Sequence, residues 1–490
     1  MRGPLLVAGI SVPWMLAAQQ PAPAKSCNLE LYNYDSTTTL AIKMPSGEYN
    51  SFYGRGVRGR CTNTDQRLAG DSLEAIGDTK SYTIIGNAHY TEKRVKLDAD
   101  RIYYFQSEEQ VVAEGNVVAV TDKGTRLRGP RAEYFRAIPA QRPLSRLVAT
   151  GRPVTRLSPD DAGGGTTDTV EIVAEQMVSV GDSLVYAGGS VVITRPDLKA
   201  VSDSATMDAG TEWSRLTGRP RVDGLGESKF SLVGRQIDMW SKQRKLERVL
   251  SADSARAVSD EVTLVADTID LRLADQQLSR AFAWGASRAR AHATDRDIVA
   301  DSIDVLMPGQ VLQELRALRG AEASSRTDST KFVSMENDWL KGDTIVATFE
   351  SVRDKGDTAS KAVIKTILAV GSASSFYQVS SSQGVKSAPN LNYVKGKAIT
   401  VAFGADRTVG TVTVREQASG VYLELAPPDS LKTDTSAAGA KGARAGAAKA
   451  GAAKASAARA GPAKPPAPPP GKPATTRRPA VPATTPDRKP

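Results

Sequence analysis

The stretch TLVADTIDLRL, Thr263 to Leu273, places apolar side chains two apart at Leu264 and Ala266, and two apart again at Ile269, Leu271 and Leu273. Between the two groups the step is three. Alternation with period two describes a strand with one buried face, and a single step of three keeps both halves facing inward only where the chain bends or bulges. A helix would need apolar residues three and four apart throughout. Ala266 leaves room for a close backbone turn, and Asp267 at the slip can face water or bond exposed amides. The stretch therefore reads as a corner at which a strand swings from one sheet into a second.

Working outward, the same phase slip recurs ten times, starting at Leu68, Leu97, Leu127, Ile172, Ala200, Leu232, Leu264, Ile298, Leu340 and Val394. The spacing is about 30 residues, and the wider intervals read as loop insertions. A second pattern lies between the copies, an apolar or small residue, any residue, then glycine, ending at Gly86, Gly115, Gly151, Gly189, Gly218, Gly285, Gly320 and Gly371. Ala252-Asp253-Ser254 fills the one open slot with serine in place of glycine. Two bent strands joined by turns and repeated make a meandering antiparallel double sheet, each repeat burying its apolar face against its neighbours. The interior is then a long trough. Small inner residues such as Ala99, Ala113, Ala174, Ala266, Ala300 and Ala347 leave volume between the sheets, with bulk supplied by Tyr104, Tyr134, Met177, Met207, Met239 and Phe403. Whether that trough is packed or hollow stays open at this stage.

The alternation of VVAEGNVVAV (Val111 to Val120), VKLDADRIYYF (Val95 to Phe105) and TLVADTIDLRL resembles the organic solvent tolerance protein (OstA)-like domain family. That family includes the lipopolysaccharide-transport proteins LptA and LptC and the amino-terminal domain of LptD. The resemblance covers about Tyr53 to Phe403 and is strongest over residues 82–135 and 172–306. It implies an all-β, extended open β-jelly roll, β-taco-like, of repeated bent antiparallel strands, with domains docking end to end into a bridge that carries lipid A acyl chains across the periplasm. Ten bent-strand copies exceed a typical single bridge protein, so two fused domains are envisaged, 25–158 and 170–426, with a seam at Pro159 to Thr169. No barrel follows the repeats, and the carboxyl tail is not part of the family pattern.

The termini are different polymers. Arg2, an apolar run from Leu5 to Ala18, and small residues before Lys25 have the pattern of a secretory signal peptide over residues 1–24. An uncleaved anchor is the other reading, although the run is shorter than the roughly 20 residues needed to span a bilayer. Export makes a disulfide between the two cysteines, Cys27 and Cys61, the simplest expectation. Residues 437–490 hold 11 of the 64 Lys and Arg and one of the 54 Asp and Glu, so the remainder balances at 53 of each and the net charge of +10 belongs to the tail. Residues 430–490, rich in Ala, Lys and Pro, have almost nothing to bury and are expected to be disordered. They read either as an electrostatic tether to an anionic cell-wall polymer or as a solvated spacer, and export argues against nucleic acid as a partner.

Two histidines and two cysteines exclude a zinc cluster or a disulfide-dense scaffold, and neither His89 nor His292 has a nucleophile motif beside it. The bend aspartates come one per repeat, without the closely spaced aspartates of calcium solenoids, and read as turn chemistry. No catalytic residue, metal or cofactor is expected. Trp213, Trp240, Trp284 and Trp339 are candidates for stacking on sugars or for ordinary packing. Arg126, Arg128 and Arg131 are candidates for meeting lipid phosphates or, more simply, read as a solvated strand face. The functional expectation is a non-enzymatic, exported protein of the periplasm, with outer-membrane association left open. It would hold lipopolysaccharide or a related amphiphile through Leu97, Ile102, Tyr104, Val117, Ile172, Met177, Leu264, Ile269, Leu271, Ile298, Ile303 and Val305. Its partners would be other OstA-like domains. The competing expectation is a non-transporting structural or adhesion scaffold held to the cell wall by its tail.

Overall fold

A computed structural model describes residues 27–424, apart from 140, 158–168, 226–228, 260–261, 294–295, 328–332, 335, 353–360, 380–387 and 405–408. The expected signal peptide, the basic tail and all but Thr169 of the expected seam lie outside the described residues. What is described is all-β, 30 strands in one antiparallel hydrogen-bonded network, with two short 3-10 turns and no α-helix.

The phase slip of the sequence is the organising feature. In the Thr263–Ala274 strand, Thr263 to Val265 pair with Val258 to Arg256 on one side and His292 to Arg290 on the other. Thr268 to Ala274 pair with the Arg248–Ala252 and Gln277–Trp284 segments, and the register shifts between the two sets. Leu264, Ala266, Ile269 and Leu271 are all buried although the step between the pairs is three. The same shift recurs at Ile85/Ala88, Asp98/Arg101, Gly188/Val191, Lys341/Thr344 and Val370/Ala373. Long strands therefore run through a first half-sheet, which holds Val95 to Asp98, and a second, which holds Arg101 to Phe105. The two half-sheets face each other. Tyr90 of the first lies 6.3 Å, ring to ring, from both Tyr104 and Tyr134 of the second.

The two sequence patterns are the two sides of one corner. Gly86 and Asn87 take φ of 74° and 42°, Gly115 and Asn116 77° and 46°, Gly371 and Ser372 79° and 50°. Asp253 and Ser254, in the slot without glycine, take 60° and 63°. On the neighbouring strand the bend acid answers that left-handed pair. Asn87 Nδ2 donates to Asp71 at 3.0 Å, Asn116 Nδ2 to Asp100 at 2.9 Å and Arg219 to Asp203 at 3.0 and 3.3 Å. The Asp71 N–H donates back to the Gly86 carbonyl at 2.9 Å. A Cβ at Gly115 would stand 2.3 Å from the Asp100 carboxylate, so both the backbone conformation and the close approach call for glycine there.

Buried apolar side chains form two clusters, one from Cys27 to Ala149 and one from Ile172 to Ile399. Backbone pairing nevertheless runs across the divide, Arg146–Thr150 against Gln176–Val180 and Val154–Leu157 against Val170–Val173. Cys27 and Cys61 are disulfide-bonded, with Cα atoms 5.1 Å apart.

Candidate functional site: two interior chambers

Where the half-sheets part, the inward side chains leave two open volumes. The first, about 670 Å³, is walled by Val95, Leu157, Val170, Ile172 and Ile193 from the first half-sheet and by Tyr134, Leu147, Val185, Met207 and Met239 from the second. Its mouth is charged. Arg94 and Arg195 come from turns at the edge of the first half-sheet; Asp182, Glu212 and Arg244 come from turns at the edge of the second. Arg94 reaches across to Asp182 at 3.4 Å. Arg195 donates to the Ser241 hydroxyl at 3.2 Å and to the Arg244 carbonyl, so a strap crosses the opening. Glu212 accepts the Arg244 N–H at 2.8 Å. The Gly210 N–H, together with the Thr211 hydroxyl, holds the Asp208 carboxyl below its ordinary range at the same mouth.

The second chamber, about 730 Å³, lies toward the carboxyl end of the stack. Leu315, Ile345, Ala347, Phe349, Ile364, Ile367 and Val401 from the second half-sheet face Ile298, Ala323 and Leu340 from the first, and Trp339 and Phe376 border the same space. Arg296 lies over the Phe403 ring at 5.3 Å, closing part of the mouth. Asp338 stands in this largely apolar lining. Burial raises its carboxyl above the usual range, opposed by the Gln378 side-chain and backbone N–H groups at 3.1 and 3.0 Å.

The amino-terminal end is filled instead. Tyr82, Tyr90, Tyr104 and Tyr134 pack across the interior, and burial pushes the hydroxyls of Tyr90, Tyr104 and Tyr134 up. Beyond them Arg136 meets Glu92 at 2.9 Å, Asp65 at 3.6 Å and Glu109 at 3.7 Å. Tyr134 and Tyr90 also donate to Glu92, and Gln66 and the Cys27 N–H donate to Glu109 at 2.9 and 3.2 Å. Buried charges survive when paired and hydrogen-bonded in this way. The disulfide thus fastens a segment that bridges both edges of the trough.

Of the twelve residues expected to hold lipid, Ile172 lines the first chamber and Ile298 the second. Leu97, Ile102, Tyr104 and Val117 are packed in the amino-terminal core. Met177 sits in the carboxyl-terminal core with Leu264, Ile269, Leu271, Ile303 and Val305, the last five filling the space between the half-sheets where the repeat is most regular. The chamber walls that sequence reasoning missed, Val185, Phe349, Ile364, Ile367 and Val401 among them, carry a signal all the same. The intervals from Leu127 to Ile172, from Ile298 to Leu340 and from Leu340 to Val394 are the long ones, and the chambers adjoin them.

His89 pairs with Asp98 across neighbouring strands at 2.6 Å and is half exposed, and His292 pairs with Asp297 in the same manner. Arg131 is engaged by Glu114 and Glu133. Among the described residues, no group of three or more His, Cys, Asp and Glu side chains is placed to hold a metal ion. Comparison with protein-family models gives no match, and neither does comparison with curated proteins.

Proposed function

We propose that the protein is an OstA-like open β-jelly roll of the periplasm that holds the acyl part of lipopolysaccharide or a related amphiphile between its half-sheets and hands it to a docked partner domain. The observation that carries this reading is the pair of largely apolar chambers of about 730 and 670 Å³, both of a size suited to a small-molecule ligand. Burial of methylenes, at about 0.8 kcal/mol each, retains the chain. The charged edge of the first chamber keeps a polar head in water. Docking is supported by the two ends of the stack, where Tyr32, Leu40 and Ile42 at one end and Val421, Tyr422 and Leu423 at the other are exposed on terminal strands. Such edges offer unpaired backbone groups to another sheet.

Photo-cross-linking residues at Val185 and Ile364, with packed Ile269 as the control, test the reading in full-length protein incubated with lipopolysaccharide. Adducts at Val185 or Ile364 and none at Ile269 are expected. The absence of adducts at both chamber positions, in conditions where a lipopolysaccharide bridge protein is labelled, overturns the proposal. The filled middle, with Val249, Ile269, Ala283 and Ile303 fully buried, favours the second reading, a non-transporting scaffold, and that outcome would select it.

A further inference from the structure

One corner of the stack departs from the others. At Ile85/Ala88 and its counterparts the left-handed bend leaves two residues unpaired, but in the Gln277–His292 strand the register breaks from Trp284 to Ala289, leaving four, Gly285 to Arg288. Asp267 still serves this corner by accepting the Ser287 N–H at 2.8 Å. The two added residues enlarge the bulge and open a cavity of about 380 Å³ on the outer side of the sheet, away from both chambers. Its direction follows from register: Ala283 and Ile303 are buried inward, so Phe282, Trp284 and Ser302 lie on the opposite face.

The lining combines an aromatic platform with charge. Phe282 and Trp284 stack at 4.8 Å, and Arg288, Asp301, Ser302 and Arg319 complete the wall. Trp213, Trp240 and Trp339 each carry a cation from their own sheet over the ring, Arg215 at 5.1 Å, Arg248 at 4.8 Å and Lys341 at 4.9 Å. Trp284 instead borders the cavity. The acid and base of the adjoining corner are also slack. Asp203 holds Arg219 through two hydrogen bonds, whereas Asp301 and Arg319, equally exposed, stand 3.7 Å apart. Arg288 is braced by donating to the Val299 and Gly320 carbonyls, which fixes its position on the wall.

We propose that this outer corner binds an anionic saccharide unit. The apolar face of a sugar ring rests on Trp284, the carboxylate or phosphate substituent meets the guanidinium of Arg319 with Arg288 beside it, and Asp301 and Ser302 take ring hydroxyls. An indole face with a forked donor and a carboxylate acceptor matches the three surfaces of such a ligand. The site is independent of the interior chambers, so its failure would leave the amphiphile reading intact.

Titration calorimetry on the full-length protein tests the assignment, with tetragalacturonate and glucose 6-phosphate as carboxylate and phosphate probes and maltotetraose as the neutral one. Heat from at least one anionic probe and none from maltotetraose is expected. Trp284→Ala and Arg319→Gln should each weaken that binding at least tenfold, while Arg219→Ala, at a corner of the same design without the aromatic pair, leaves it unchanged. Unaltered thermal midpoints would show that the variants are folded, and because both substitutions are on the outer face, either one alone suffices. Binding unaffected by both variants, as association with the cationic tail would give, overturns the proposal. So does equal loss in Arg219→Ala, equal binding of maltotetraose, or no binding of any probe.

Discussion

At the scale of single residues, Asp338 shows how position in the trough alters chemistry. Its carboxyl lies at the second chamber, where loss of hydration disfavours the charge more than two bonds from Gln378 restore it. A folded-state pKa above the unfolded one means that the native form binds the proton more tightly. The associated stability is present below the unfolded pKa, near 3.8, and is lost as pH rises through the folded value. Asp338→Asn keeps an acceptor for Gln378 and removes the titration. The variant is expected to be the more stable protein at pH 7, with its advantage shrinking toward pH 3, as read from urea midpoints at the two pH values. A variant that is less stable at pH 7 and equal at pH 3 would contradict the account.

At the scale of elements, the corner couples neighbouring strands and is stricter than either sequence pattern alone. Gly115→Ala forces a side chain into φ of 77° and against the Asp100 carboxylate. A cost of about 1–3 kcal/mol is expected. Asp100→Ala in the same chain should recover part of it, because the carboxylate contact goes while the strained φ and the close approach of the Cβ at position 100, 2.9 Å away, stay; a double-mutant cycle by chemical denaturation separates the carboxylate's share from the rest. The bend itself was legible, since a step of three within strict alternation has few other meanings. The pairing of a bend acid with the glycine corner of the next strand was not, because residues such as Asp71 and Asn87 are 16 apart and meet only after the strands are in register. The widened corner at Gly285 was equally hidden. Four unpaired residues there look in sequence like ordinary alternation around a glycine.

At the scale of the whole molecule, a stack in which each repeat touches only its neighbours behaves nearly as a one-dimensional system. The two buried clusters meet across short split strands, and the amino-terminal one carries the disulfide and the Arg136 ion network. Ile303→Asp places a charge in the filled middle of the carboxyl-terminal cluster, where the side chain has no exposure. Hydrogen exchange is expected to show lost protection from about Gln236 onward while Ser81 to Phe135 stays protected. Collapse of both regions together would mean that the described residues unfold as one cooperative unit. The same architecture explains why regular repeats are filled and irregular ones hollow. Identical spacing lets side chains from facing half-sheets interlock, whereas inserted loops and longer strands separate the walls.

The sequence by itself determined the all-β class, the antiparallel meander, the recurrent bend and the positions that face inward, because alternation and its interruptions are local and leave a mark every 30 residues or so. Only the tertiary structure decided which inward positions are packed and which border open space. Residues as alike as Ile269 and Ile364 differ in this respect, since free volume depends on the distance between two sheets, which arises from many corners acting together and is encoded at no single one.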